Sequence, residues 1–328
     1  MQYRKLGKTG FKVSEISLGT WQVGGKWGSG FDDANAEKII HKAIDEGVNF
    51  IDTADVYEGG KSESAVGRVV RSRQERVYVA TKCGRQINPH ISDGYTPEVL
   101  QKYVEDSLKR TGLEILDLIQ LHCPPTEVYY RPEIFELFDR LKEKGKILNL
   151  GVSVEKVEEA LKAIEYENVT TVQIIFNVFR QRPRELFFKE AAKRDIGVIV
   201  RVPLASGLLT GKFNNYTTFE SGDHRNFNRN GEAFDKGETF SGIDYNLGLE
   251  AVEEIKKLFP GRENLAPIAL MWILQFKEVS CIIPGASKEE HLLSNLSVYN
   301  EEPLGGNEME IMNNIYDKYI KYHVHHLW

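Results

Sequence analysis

Eight short apolar runs recur along this chain of 328 residues, near 15–19, 48–51, 77–81, 115–121, 147–151, 170–176, 196–202 and 279–283. Runs of this length and near-continuous apolarity read as parallel strands buried on both faces. The stretches between them carry helix punctuation. Asp33 caps a segment whose Ala36, Ile39, Ile40, Ala43 and Ile44 share one face, and Gly47 ends it. Thr96-Pro97-Glu98 reads as an N-cap followed by proline at the first helical position, with a stripe of Leu100, Tyr103, Val104 and Leu108 stopping at Gly112. Pro132 opens another helix that Gly145 closes, and helices over 154–164, 183–194 and 287–298 continue the alternation. Eight evenly spaced units predict an α/β fold, a closed (β/α)8 TIM barrel, as a single domain over residues 1–328. A doubly wound open sheet is the second choice, and the spacing lacks the break it would require.

Two stretches depart from the alternation. Residues 1–13, with Tyr3, Leu6, the turn Lys8-Thr9-Gly10, Phe11 and Val13, read as a β-hairpin that covers the barrel floor. Residues 213–245, after the seventh strand, form a long loop without periodicity. Its aromatic content (Phe213, Tyr216, Phe219, Phe227, Phe234, Phe240 and Tyr245) predicts an ordered cover.

Forty-two Lys and Arg against 48 Asp and Glu leave a net charge of −6, which argues against nucleic acid and polybasic membrane contacts as partners. No run approaches the roughly 20 apolar residues of a membrane span, and the N-terminus lacks the pattern of a signal peptide. Three unclustered cysteines (Cys83, Cys123 and Cys281) fit free thiols in a reducing compartment, so a cytoplasmic location is expected.

Asp52, Lys82 and His122 each stand immediately beyond an apolar run, and Tyr57 follows Asp52 by five residues. Residues just past the strands of a parallel barrel meet at its carboxyl end, where active sites are built. A phenol titrates near 10, too high for efficient proton transfer at neutrality, and a nearby ammonium favours its ionised form. A carboxylate beyond the lysine keeps that ammonium charged, and a histidine bonds the reacting oxygen. The set suits a proton moved on or off oxygen while another species carries hydride.

Other motifs read more blandly. Gly207 to Lys212 resembles a P-loop with one spacer too few and Phe213 where a magnesium-binding hydroxyl belongs. No Gly-x-Gly-x-x-Gly follows the first strand. His323-Val324-His325-His326 lies on the tail rather than at a strand end, and no metal is expected. Cys83 and Cys123 are expected to be buried bystanders.

The segment Asn49 to Tyr57, with Ser62-Glu63 and Gly67 beyond it, resembles the signature of the aldo-keto reductases. Ala80-Thr81-Lys82, Ser107 to Leu113 leading into Asp117 to His122, Gly151-Val152-Ser153, Pro203 to Lys212 and Ile283 to Ser287 match in order. The longer, lid-bearing members are the closer likeness. The resemblance implies Tyr57 as general acid or base, Lys82 tuning it, Asp52 pairing with Lys82, and His122 orienting the substrate oxygen. It also implies an extended nicotinamide cofactor, NADP(H) favoured over NAD(H), with Thr20, Trp21 and Asp52 beside it and Ser153 and Gln173 on its carboxamide. Arg201 would lie at the nicotinamide, and Val202, Pro203, Leu204, Ser206, Gly207, Leu208 and Lys212 would wrap the pyrophosphate. Gly285, Ser287, Lys288, His291 and Asn295 would hold the adenosine end, where a helix N-terminus suits an anion.

Three positions depart from the family pattern. Val154 stands where an asparagine often bonds the carboxamide, Arg201 where a tyrosine often stacks on nicotinamide, and His291 where an arginine often grips the 2′-phosphate. Arg201 is expected either to stack in tyrosine's place or to form an ion pair with the cofactor or the lid. Substrate contacts are expected from Trp21, Tyr57 and His122, with Trp27 and Tyr129-Tyr130 shaping the pocket. The expected substrate is a small aldehyde, ketone or sugar hemiacetal, interconverted with its alcohol or lactone by a monomer or homo-oligomer. Two alternatives remain: a Schiff-base aldolase with Lys82 as nucleophile, and a cofactor-bound regulatory subunit resembling the family's channel-associated members.

Overall fold

The computed structural model describes residues 1–25 and 30–328. A hairpin of β1 (Tyr3–Lys5) and β2 (Lys12–Ser14) precedes eight parallel strands. These are β3 (Leu18–Gly19), β4 (Phe50–Asp52), β5 (Tyr78–Cys83), β6 (Leu116–His122), β7 (Ile147–Ser153), β8 (Val169–Ile175), β9 (Gly197–Arg201) and β10 (Val279–Ile282), paired in sequence order. Parallel bridges Ile16 to Ile282 and Gly19 to Gly285 close the ring between its first and last members. The molecule is a (β/α)8 barrel, as the alternation predicts.

Helices cover the ring, most of them burying one apolar stripe against it. They are α1 (Asp33–Asp45), α2 (Lys61–Ser72), α3 (Pro97–Thr111), α4 (Pro132–Glu143), α5 (Val157–Ala163) and α6 (Phe187–Lys193), then α7 (His224–Phe227), α8 (Tyr245–Leu258), α9 (Ala266–Leu274), α10 (Glu289–Leu296), α11 (Gly306–Ile315) and α12 (Lys321–Val324). Asp32 rather than Asp33 caps α1, accepting from the Asn35 amide at 3.0 Å, since the cap must lie one residue outside the helix. Thr96 caps α3 as expected, and Gly112 ends it at φ 66°. Helices α7, α8, α9, α11 and α12 lie outside the helical segments marked in the sequence, and α2 follows from the alternation alone. Among the described residues, no helix is long and apolar enough to cross a membrane.

The hairpin plugs the floor. Leu6, Phe11 and Val13 pack among Phe50, Ala80, Leu118, Ile199 and Cys281 inside the ring. Each such side chain contributes about 1.5–3 kcal/mol by burial. Gly7 is required there: at φ 49°, a Cβ would meet the Gly197 backbone nitrogen at 2.1 Å.

The loop after β9 is an ordered cover. Phe219 packs edge-on against Phe213 and Tyr245, and Arg225 lies 4.6 Å from the Phe219 centroid. The tail reaches this cover, and Trp328 is buried there. Trp328 stacks on Arg180 at 4.2 Å, its Nε1 donates to Asp235 at 3.1 Å, and its carbonyl accepts from Arg182 at 2.5 Å. Gly242, at φ 80°, leaves the indole room that any Cβ would take.

Candidate active site

Strand register sets the height of each reacting group. Asp52 ends β4 opposite Ala80, so Lys82, two residues further along β5, stands above it on the same inward face. Gln120 pairs with Lys82 across β5 and β6, and His122 ends β6 beside Ser153. Tyr57 opens a short 3-10 turn after β4.

The lysine is the hub. Its Nζ donates to Asp52 Oδ1, to the Thr53 carbonyl at 2.8 Å and to Tyr57 Oη at 3.1 Å. Three N–H bonds have three acceptors, so the phenolic hydrogen stays free to point elsewhere. Asp52 Oδ2 accepts from Gln120 Nε2 at 3.0 Å and Gln173 Nε2 at 2.8 Å, which fixes the carboxylate from two further strands. Burial pulls Lys82 down, but Asp52 and Tyr57 more than restore it, and it remains an ammonium above its ordinary value. With every N–H engaged and no exposed surface, it has no lone pair to offer a carbonyl; the Schiff-base alternative is set aside.

Burial pushes the Tyr57 phenol above 10, against the downward pull of Lys82. A lowered phenol was expected from the ammonium alone; in the buried pocket desolvation outweighs it. The group therefore rests as an acid. His122 meets Tyr57 edge-on with ring centroids 6.1 Å apart. Burial, then the cations Arg85, Lys82 and Arg201, hold its imidazole well below 6.5, so it is neutral at pH 7. Its Nδ1 is buried without a hydrogen-bond partner.

One cavity of about 1010 Å³ runs from Tyr57 and His122 to Lys288, His291 and Asn295. That is at the upper end of the usual range for a small-molecule site, and its run from Tyr57 to Asn295 suits an elongated ligand. Thr20, Trp21, Asp52, Gln173, Arg201, Val202, Pro203, Leu204, Ser206, Gly207, Lys212 and Gly285 also line it. Three expected residues do not. Leu208 is core, Ser153 lies behind Gln173 at 3.4 Å, and Ser287 is turned onto His291 Nδ1 at 3.2 Å. Tyr129 is buried and Tyr130 exposed, and neither lines the cavity. Trp27 lies outside the described residues.

Arg201 is tied to the cover. Its Nη2 donates to Glu155 at 2.8 Å and to the Val154 carbonyl at 3.1 Å, and Nη1 lies 3.7 Å from Glu238. Cys123, also beside Arg201, joins Glu155 and Glu238 in a cluster of metal-ligand types, each of which the guanidinium approaches within 3.7 Å. Burial pushes Glu155 up, while Arg85 and Arg201 hold Glu238 down against the same desolvation. Arg85, Glu155, Glu238, His224 and Phe234 were not anticipated as site residues. The only signal was Arg85's position three residues past Lys82.

A ring of parallel strands with Asp, Tyr, Lys and His joined at its carboxyl end, under an elongated cleft, defines a class of proton-transferring barrel oxidoreductases. The aldo-keto reductase family model matches residues 15–317, and the chain belongs to that family. It is 31% identical over 301 residues to aldo-keto reductase YhdN of Bacillus subtilis, covering 89% of this chain and 87% of the relative. It is similar to the structure of the glycerol dehydrogenase AKR11B4 from Gluconobacter oxydans, at 30% identity and TM-score 0.79 over 97% and 96% of the two chains. The holo form of aldo-keto reductase AKR11C1 from Bacillus halodurans shares the fold at TM-score 0.76 and 23% identity, over 96% of both chains. Family membership makes this chain a nicotinamide-dependent oxidoreductase of carbonyl groups.

Proposed function

We propose that the chain reduces an aldehyde or ketone to its alcohol and, in the other direction, oxidises an alcohol to its carbonyl or a sugar hemiacetal to its lactone, with Tyr57 as general acid and base. The observation that carries this reading is the bridge from Asp52 through Lys82 Nζ to Tyr57 Oη beside a neutral His122. A bound nicotinamide would supply or accept the hydride. The protein's part is the proton. His122 donates a hydrogen bond to the substrate oxygen, and Tyr57 delivers its free proton there as charge develops. Lys82 then stabilises the phenolate left behind, and Asp52 keeps Lys82 charged.

The cleft suits a dinucleotide in shape and donor set. Gln173 and Trp21 line its reacting end, and Lys212 and Lys288 bring cations to the far end, which supports NADP(H) over NAD(H). The glycerol dehydrogenase likeness supports small polar substrates. Free buried thiols agree with a cytoplasmic location.

The test is Tyr57→Phe. Turnover of a carbonyl panel should fall by roughly 10²- to 10⁴-fold, while dinucleotide binding, read by tryptophan fluorescence, stays within about threefold. A variant that keeps the parent rate overturns the assignment.

A further inference from the structure

Beside the proton-handling residues the cavity carries a charged pair that handles no proton itself, although the charge of Arg85 adds to the burial that keeps His122 neutral. Arg85 Nη1 donates to Glu238 Oε1 at 3.1 Å, with Glu155 Oε1 3.8 Å away. Arg85 and Glu238 line the cavity together with Tyr57 and His122, and their side chains are 21% and 11% exposed. A guanidinium has five N–H donors. Among the described residues, Arg85 Nε and Nη2 have no protein acceptor. Trp21 and Phe234 line the same cavity with ring centroids 6.2 Å apart, and Arg85 lies 5.8 Å from the Phe234 centroid.

Aromatic faces suit the C–H groups of a ligand, and an adjacent donor and acceptor suit a group that both accepts and donates. A hydroxyl does both. A phosphate or carboxylate would accept from Arg85 but bring like charge against Glu238. Resting on the carbonyl-reductase reading, we propose that Arg85 and Glu238 read a hydroxyl next to the reacting carbonyl. The preferred substrate class is then a short hydroxyaldehyde or hydroxyketone. The substrate hydroxyl accepts from an unused Arg85 N–H and donates to Glu238, while Trp21 and Phe234 cover its carbon skeleton. A site built to bond a hydroxyl discriminates strongly against the analogue that lacks it.

The experiment compares glyceraldehyde with propanal in the parent protein, in Arg85→Met and in Glu238→Gln. Saturation-transfer NMR of glycerol and 1-propanol, with no dinucleotide added, gives a binding readout independent of turnover. Glyceraldehyde kcat/KM should fall by roughly 10- to 100-fold in either variant, with propanal changed less than about threefold. Glycerol contact should be lost while 1-propanol contact persists. A pair that merely fastens the cover would lower both substrates together, and that result overturns the proposal. So does a parent protein that prefers propanal, or glyceraldehyde 3-phosphate, over glyceraldehyde. Arg85-dependent glycerol binding without turnover of any carbonyl would instead sink the reductase reading and leave the pair standing.

Discussion

Asp55, two residues before Tyr57, is fully buried, and neither carboxyl oxygen takes a side-chain hydrogen bond. Burial and then the Glu63 carboxylate push it up to about 7, with Arg110 pulling the other way. Between the ordinary carboxylate range and about 7, the folded chain holds a proton that the unfolded chain releases. The stability this adds is complete at acid pH and is lost as pH rises through that window. Asp55→Asn removes the dependence. From about pH 5 to pH 8 the variant should gain on the parent by about 3 kcal/mol; parallel denaturant melts at the two pH values would contradict this. At this scale much of the site was legible. Asp52, Lys82 and His122 each follow an apolar strand, and strand ends of a barrel converge whatever lies between them. Arg85 and Glu238 were not, because 153 residues separate them and only the folded cover brings them together. Tyr57's upward shift was equally hidden, since it depends on how dry the pocket is.

The cover and the tail act as one element. Trp328 fills the space over Gly237 and Gly242, bonds Asp235 through Nε1, and so braces the short turn that carries Glu238. Truncating a buried tryptophan costs about 3–5 kcal/mol in a core, but here the loss falls on a loop with its own aromatic cluster. Trp328→Ala should therefore open residues 213–245 to limited proteolysis, with the barrel's thermal transition lowered by only a few degrees. Equal resistance of both proteins to protease would show that the tail does not brace the cover. The aromatic content of residues 213–245 announced this cover, whereas the helices behind it are hidden in the sequence for a physical reason. Helix α9 is buried at every position except Met271, so it has no polar face to set a period.

At the scale of the whole molecule the ring is unevenly sewn. Strands β5 to β8 pair over several residues each, while β3 has two residues, and its seam with β10 is held by the bridges at Ile16 and Gly19 with three backbone hydrogen bonds, from Ile282, Ser17 and Gly19 N–H. Local opening follows low hydrogen-bond density. Amide hydrogen exchange at residues 16–19 and 282–285 should outpace that at 116–122, and exchange that is uniform around the ring would contradict this. The same bridges explain why eight apolar runs announced the fold although the first strand is so short: closure needs only that both ends of the sheet arrive at one place. Gly19 and Gly285, one of the bridged pairs, also form the wall of the cleft. A molecule seated against them touches both lips of the join at once. It would work as a clasp there, and its release would leave the cylinder, for a moment, at its loosest.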